Sequence, residues 1–330
     1  MASAPLAVTL GDPAGIGPEV VACAWQLRRE HGLAPFAAIG AIESLLAVGF
    51  SRVVPIASIA DAPALFDDAL PLIASERLAT IHPGKPTPEG ARVAFGALEL
   101  AVQLSRAGEA AAMVTAPVAK ASLYAAGFLW PGQTEFVADR CGVAPEDCAM
   151  LLIGGGLRAC PATIHIPLSS VPAVLTTGLI VRRGRVLAAT LARDFGIAAP
   201  RLALTGLNPH AGEDGALGRE DADVIAPAVA ALREHGIDAR GPFPADTLFH
   251  AEARAGYDAV LAMYHDQALI PVKTLAFDSG VNMTCGLPII RTSPDHGTAF
   301  GIAGDARASP GAMIAALHLA AQCADRRVRG

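Results

Sequence analysis

Residues 6–32 read LAVTLGDPAGIGPEVVACAWQLRREHG, and their order decides the fold class. An apolar run breaks at Gly11, Asp12 and Pro13. It then gives way to a helical stretch with Pro18 suited to the first helical position and Glu19 in the first turn. The turn resembles a nucleotide-binding loop, but Gly15 and Gly17 are followed by Val20 where a dinucleotide fingerprint needs a third glycine. It therefore reads as a tight turn before a helix, with Asp12 and the amides after Gly17 placed where a ligand could meet them.

The same grammar repeats along the chain. TPEGARVAFGALELAVQLSRAG (87–108) predicts a helix with Thr87 as cap, Pro88 at its first position and Gly108 just past its end, and AAMVTAP (111–117) predicts a buried strand. RRGRVLAATLARDFG (182–196) predicts a helix ending at Gly196, and RLALTGLNPH (201–210) a strand running into Asn208, Pro209 and His210. REDADVIAPAVAALREHG (219–236) predicts a helix closed by Gly236, and YDAVLAMYHD (257–266) a strand ending at His265 and Asp266. SPGAMIAALHLAAQCADRR (309–327) predicts a final helix capped by Ser309 with Pro310 at its first position, and Gly154 to Gly156 read as a loop between strands. Such alternation implies a largely parallel sheet covered by helices, with ligands beyond the carboxyl ends of the strands.

Composition narrows the function classes. With 330 residues, 52% hydrophobic and 5% aromatic, the chain can bury one large α/β unit or two domains of closely packed helices on sheet. Its 25 Lys+Arg against 31 Asp+Glu, a net −6, provide no electrostatic footing for nucleic acid or an anionic membrane. The uncharged stretch 159–181 is interrupted by Pro161, His165, Pro167 and Pro172, which argues against a bilayer span. No G-x-x-x-x-G-K-[ST] motif occurs, so P-loop chemistry is excluded. The start has no positively charged signal region, and the six cysteines form no C-x-x-C pair. A cytoplasmic protein with reduced thiols is expected.

Nine histidines occur. His31 and His235 each lie in an identical REHG helix end, where a cation suits the helix C-terminus, and His318 lies inside the last helix. His165, His210 and His265 differ, because each sits at or near the end of a predicted strand. Strand ends of one sheet can converge, so these three are candidate ligands of an open metal site, suited to zinc or cobalt more than to oxygen-seeking magnesium. Past His265, the mostly apolar stretch to residue 297 carries Asp266, Lys273, Asn282 and Arg291. Lys and Arg in such surroundings are the residues that hold phosphate or carboxylate.

Taken together, these residues resemble the 4-hydroxythreonine-4-phosphate dehydrogenase family of pyridoxal phosphate biosynthesis. The resemblance spans essentially the whole chain. It is carried most specifically by GLNPHAGEDGALGRED, GPFPADTLF, AMYHDQALIPVKTLAF and GVNMTCGLPIIRTSPDHGTAFGIAG in that order. It implies an isocitrate/isopropylmalate-dehydrogenase-like fold of two α/β/α domains, one discontinuous (1–138 plus 285–330), the other (139–284) carrying the histidines and the dimer interface. It further implies a homodimer with the active site at the subunit interface, NAD or NADP as cofactor, and one divalent ion per site (zinc, cobalt or magnesium) on His165, His210 and His265.

Substrate contacts then fall on Gln133, Thr134, Lys273, Asn282 and Arg291. Asp246, Asp266 and Lys273 are the candidates for proton transfer or for orienting a histidine. The segment DHGTAFGIAG resembles the adenosine loop of β-decarboxylating dehydrogenases, which assigns His296, Gly297, Thr298, Ala299 and Gly304 to the cofactor. The chain departs from the family at Gln133, where the family usually carries His; glutamine can hydrogen bond but does not titrate near neutral pH.

The reaction implied is oxidation of 4-phosphooxy-L-threonine and decarboxylation to 3-amino-2-oxopropyl phosphate. Two alternatives stand beside it. One is a related dehydrogenase of a phosphorylated four-carbon sugar acid or a cis-dihydrodiol carboxylate. The other is a metal-dependent hydrolase or acyl transferase without redox chemistry.

Overall fold

Short buried strands and capped helices alternate through the computed structural model, which describes residues 4–75, 78 and 80–329. Its strands are β1 (Leu6–Thr9), β2 (Phe36–Gly40), β3 (Val53–Pro55), β4 (Leu70–Ala74), β5 (Met113–Thr115), β6 (Ala149–Gly154), β7 (Leu157–Pro161), β8 (Arg201–Thr205), β9 (Asp238–Phe243), β10 (Ala259–Ala262), β11 (Val281–Cys285) and β12 (Arg291–Pro294). The longer helices are α1 (Gly17–Gln26), α2 (Pro88–Arg106), α3 (Gln133–Arg140), α4 (Thr177–Phe195), α5 (Ala226–Glu234), α6 (His265–Leu275) and α7 (Gly311–Arg329). The chain divides into two units. One runs to Gly142 and resumes over Leu287–Val328, and the other takes Val143–Gly286.

In the first unit the strand order is β3-β4-β2-β1-β5-β12, parallel throughout. The chain leaves β1 for β2 on one side and comes back as β5 on the other, so the ends of β1 and β5 form a topological switch point. Glycine is required in the turn that follows β1: a Cβ on Gly17 would lie 2.1 Å from the Leu10 carbonyl oxygen. Helix α2 buries Ala94, Ala97, Leu98, Ala101 and Val102, one stripe at helical spacing whose small side chains allow close approach to the sheet. Thr87 caps it by accepting the Gly90 N–H at 3.1 Å.

Few aromatics are present, yet Phe95, Phe128, Trp130 and Phe136 gather in one cluster, with Trp130 and Phe136 ring centroids 5.0 Å apart. Arg140 stacks over Trp130 and bonds Glu99 at 3.0 Å. Together they seat α3, and with it Gln133 and Thr134.

In the second unit the order is β11-β6-β7-β10-β8-β9. Strands β11, β6 and β7 pair antiparallel, while β7, β10, β8 and β9 are parallel. Gly155 and Gly156 close the β6–β7 hairpin with φ of 58° and 76°, conformations that suit glycine. Ala268 and Val272, one turn apart on α6, pack with Leu152, Leu157, Ala159, Ala203, Val260 and Ala262 into a core.

Several local expectations need correction. Helix α1 stops at Gln26, so His31 lies in the turns beyond it rather than at a helix end. Arg28 is buried there, donating to the carbonyls of Trp25 and Asp67, and this draws the chain out of the helix. Helix α4 begins at Thr177, before Arg182, because Thr176 caps it by accepting the Leu179 N–H. Helix α7 starts at Gly311, one residue past Pro310.

The strand expected to reach Asp266 ends at Ala262, and His265 instead opens α6. The ladder stops because side chains occupy both polar groups of Met263. Gln267 Oε1 accepts its N–H at 2.8 Å, and Thr163 Oγ1 donates to its carbonyl at 2.8 Å. No helix among the described residues is long and apolar enough to cross a membrane.

Candidate active site

In the first unit a buried cation stands at the sheet's carboxyl edge. Arg291 opens β12 opposite Met113 of β5, and its guanidinium reaches two residues along that strand to Thr115 on the same face. It donates to Thr115 Oγ1 at 2.9 Å, to Gln133 Oε1 at 3.2 Å and to Thr134 Oγ1 at 3.3 Å. Those three partners carry no charge. Burial therefore pushes the guanidinium down to about 10, a shift that Glu135 partly opposes. A buried, hydrogen-bonded fork of this kind is built for an oxyanion, and Gln133 and Thr134 at the start of α3 complete its lining.

At the switch point of the same unit, the turn after β1 meets the loop that carries His296, Gly297, Thr298, Ala299 and Gly304. Ile16 donates its N–H to the Thr298 carbonyl at 3.0 Å, and a Cβ on Gly15 would stand 3.1 Å from that oxygen. The loop carries Ala299 at φ 43° and a short 3-10 turn over Phe300–Ile302. His296 Nδ1 lies 3.1 Å from the Gly297 carbonyl, which as an N–H donor leaves Nε2 a bare acceptor. That Nε2 is buried without a hydrogen-bond partner.

Asp12, 1% exposed, lies near the start of the same turn. One carboxylate oxygen accepts the Ala14 N–H at 3.1 Å while the other is buried without a hydrogen-bond partner. Burial raises its pKa, opposed by the Ala14 N–H and the Ser122 hydroxyl.

In the second unit His165, His210 and His265 follow β7, β8 and β10, and β10 lies between the other two. Their chain segments thus leave the carboxyl ends of three neighbouring parallel strands. The rings of His165 and His265 are 5.5 Å apart. His265 Nδ1 is 2.7 Å from Asp266 Oδ1, a bond that holds the proton on Nδ1 and leaves Nε2 as a lone-pair donor. His210 is exposed and its Nδ1 lies 3.9 Å from Glu213. Among the described residues no three His, Cys, Asp or Glu side chains stand close enough together to hold a metal ion.

Both His165 (φ 51°) and His210 (φ 53°) have left-handed backbone, and after His210 the conformation persists through Ala211, Gly212, Glu213 and Asp214. Non-glycine residues held this way cost about 1 kcal/mol or more each and occur where surrounding bonds enforce them.

Three enforcing residues were not legible in the sequence. Thr163 ties the His165 segment to Met263. Gln267 accepts from the Thr205 hydroxyl at 2.7 Å and donates to the Gly206 carbonyl at 2.8 Å, binding the start of α6 to the end of β8. Asp221, 2% exposed, accepts the N–H groups of Leu207 and Asn208 and the Asn208 amide, pinning the turn that presents His210.

Lys273 lies on α6 with Nζ 5.9 Å from the Phe277 ring centroid. Asn282 lies on β11 with its Oδ1 buried and without a hydrogen-bond partner. Asp246 is exposed in the turn after β9. None of the six cysteines is in a disulfide, and burial lifts the Cys160 thiol to about 12, which makes it unreactive.

Comparison with known proteins adds to this geometry. Residues 38–320 match the family model described as pyridoxal phosphate biosynthetic protein PdxA. A protein of Erythrobacter litoralis named 4-hydroxythreonine-4-phosphate dehydrogenase is 56% identical over 98% of this chain and 97% of its own. One of that name from Zymomonas mobilis is also 56% identical, over 98% of this chain and 96% of its own.

Among solved structures, a 4-hydroxythreonine-4-phosphate dehydrogenase of Klebsiella pneumoniae is similar with a TM-score of 0.86 at 37% identity, covering 98% of this chain and 100% of that one. A terephthalate 1,2-cis-dihydrodiol dehydrogenase of Burkholderia xenovorans is similar with a TM-score of 0.66 at 31% identity, covering 97% and 98%. An isocitrate dehydrogenase of Methylococcus capsulatus shares the fold at 15% identity and a TM-score of 0.50, covering 99% and 88%.

Proposed function

This chain belongs to the pyridoxal phosphate biosynthetic protein PdxA family, an oxidoreductase family, and from that premise we propose that it oxidises 4-phosphooxy-L-threonine with NAD or NADP. The product, 2-amino-3-oxo-4-phosphooxybutanoate, loses carbon dioxide to leave 3-amino-2-oxopropyl phosphate. One observation carries the choice of a phosphorylated substrate: the buried Arg291 fork, lined by Thr115, Gln133 and Thr134.

Arg291 binds an anionic group of the substrate, and Thr134 and the Gln133 amide orient it. Since Arg291 holds the amide oxygen of Gln133, the amide's NH2 is the end available to a ligand. Lys273 and Asn282 contribute a cation and a buried acceptor to binding.

The imidazoles of His165, His210 and His265 leave three neighbouring strand ends and are ligands of the kind a divalent ion takes, zinc or cobalt before magnesium; they stand apart here and would draw together around the ion to hold it. Such an ion would supply Lewis acidity that makes a hydroxyl easier to deprotonate. Asp266 keeps His265 in the tautomer that presents Nε2, which leaves the Asp246 carboxylate as the group to take up the hydroxyl proton, with the Lys273 cation beside the developing negative charge. The nicotinamide dinucleotide supplies the hydride acceptor, and His296, Gly297, Thr298, Ala299 and Gly304 hold it, with His296 Nε2 offering a buried acceptor.

The exposed apolar side chains Ile166, Leu168, Ile270 and Phe277 flank the histidine segments and support a homodimer formed there. Six cysteines with no disulfide between them fit a cytoplasmic setting.

The 31% identical dihydrodiol dehydrogenase favours a second reading, oxidation of a ring cis-diol carboxylate. Measuring nicotinamide reduction with 4-phosphothreonine, threonate 4-phosphate and a dihydrodiol carboxylate tests both. Preference for 4-phosphothreonine by at least tenfold in kcat/KM is expected. Preference for the diol, or no cofactor reduction with any of the three, overturns the proposal.

A further inference from the structure

Glu19 is a buried carboxylate to which the reaction above gives no task. It is 5% exposed, at the third position of α1, directly after the turn that meets residue 298. Its two oxygens go to two different backbone groups of one segment. Oε2 accepts the N–H of Gly304 at 3.3 Å and Oε1 accepts the N–H of Ala308 at 3.0 Å. Between those amides the chain passes through Ala306 at φ 55°, a left-handed alanine that nearby bonds must enforce.

The loop is thus tied to the first turn of α1 at both ends, by Ile16 N–H to the Thr298 carbonyl and by Glu19 to Gly304 and Ala308. A Cβ on Gly304 would stand 2.8 Å from Pro83, so the loop has little room to settle elsewhere on that side. A carboxylate suits this task because it offers only acceptors, whereas an amide would turn a donor toward one of the two N–H groups.

We propose that Glu19 is a positioning residue for the dinucleotide: it holds residues 298–308 in the shape that receives the cofactor, without touching the cofactor itself. The inference rests on the reading of 296–304 as the cofactor loop. A preformed loop binds without first being ordered, so loosening it lowers affinity for the dinucleotide while leaving affinity for the phosphorylated substrate in place.

The test compares wild type, Glu19→Gln, Glu19→Ala and His296→Ala, all checked for folding by circular dichroism. NAD and 4-phosphothreonine binding are titrated separately, and amide hydrogen exchange is followed over 298–308. For Glu19→Gln the expected result is an NAD Kd raised about tenfold, faster exchange at Gly304 and Ala308, and a 4-phosphothreonine Kd within twofold of wild type. Glu19→Ala should weaken NAD further. NAD affinity within twofold of wild type in folded Glu19→Gln, or unchanged exchange in the loop, overturns the role of Glu19. If His296→Ala weakens NAD while Glu19→Gln does not, only this inference fails. If wild type binds no dinucleotide, or His296→Ala binds it as tightly as wild type, the cofactor-loop reading fails and takes this inference with it.

Discussion

Around Arg291 the backbone is regular and the side chain is the unusual element, whereas around His165 and His210 the side chains are exposed and the backbone is unusual. Arg291 is 4% exposed at the first position of an ordinary parallel strand, and hydroxyls and an amide meet its buried guanidinium. The two histidines sit at φ 51° and 53° in turns held by Thr163, Gln267 and Asp221. The difference follows from what each group must do. A buried cation is positioned by its own hydrogen bonds, while an exposed imidazole is positioned by the backbone that carries it.

The comparison can be broken most directly at the histidine corner. His210→Ala should reduce turnover to background and abolish metal binding with the fold intact, as read by cofactor reduction, calorimetric metal titration and circular dichroism. Metal-free protein or His210→Ala with full activity would show that the strained backbone serves no ligand.

At the other corner, Arg291→Lys keeps the charge and loses the fork, so kcat/KM for the phosphorylated substrate should fall about a hundredfold. A fall below threefold would mean that a point charge suffices and that Thr115, Gln133 and Thr134 are packing. Gln267→Leu strips partners from the Thr205 hydroxyl, the Met263 N–H and the Gly206 carbonyl. It should cost about 2 kcal/mol by denaturant midpoint and weaken metal binding. Normal metal affinity in a destabilised protein would separate support of the fold from support of the histidines.

The smallest effect is expected at Asp12. Its folded pKa is raised by burial, so its contribution to stability is fully present below the ordinary carboxylate value of 3.8 and is lost as pH rises through the folded value. Asp12→Asn removes that titration. Relative to wild type the variant should gain stability between pH 3 and pH 7, by under about 1 kcal/mol. A loss over the same range would mean that the charged form is the one the turn favours.

Much of this was legible from local signals. Thr87, Pro88 and Gly108 marked a helix because caps act on adjacent backbone groups, and the α2 stripe showed its buried face because spacing is local. Glu19 was visible in the first turn of α1, but nothing local tied it to Gly304 and Ala308, 285 and 289 positions away. Gln267 was hidden for a related reason, since a glutamine just past a predicted strand looks solvated until a neighbouring strand supplies its partners. The strand expected through His265 ended early because side chains captured Met263, an event that periodicity does not encode.

By itself, then, the sequence determined the α/β alternation, most helix boundaries to within a turn and the polar residues that follow each strand, since periodicity, capping and turn chemistry act between near neighbours. Only the tertiary structure decided that β10 lies between β7 and β8, bringing His265 beside His165, and that Arg291 meets Thr115 across 176 positions. Strand order and burial arise from pairings between distant segments, and those depend on how all the apolar faces are buried together rather than on any one of them.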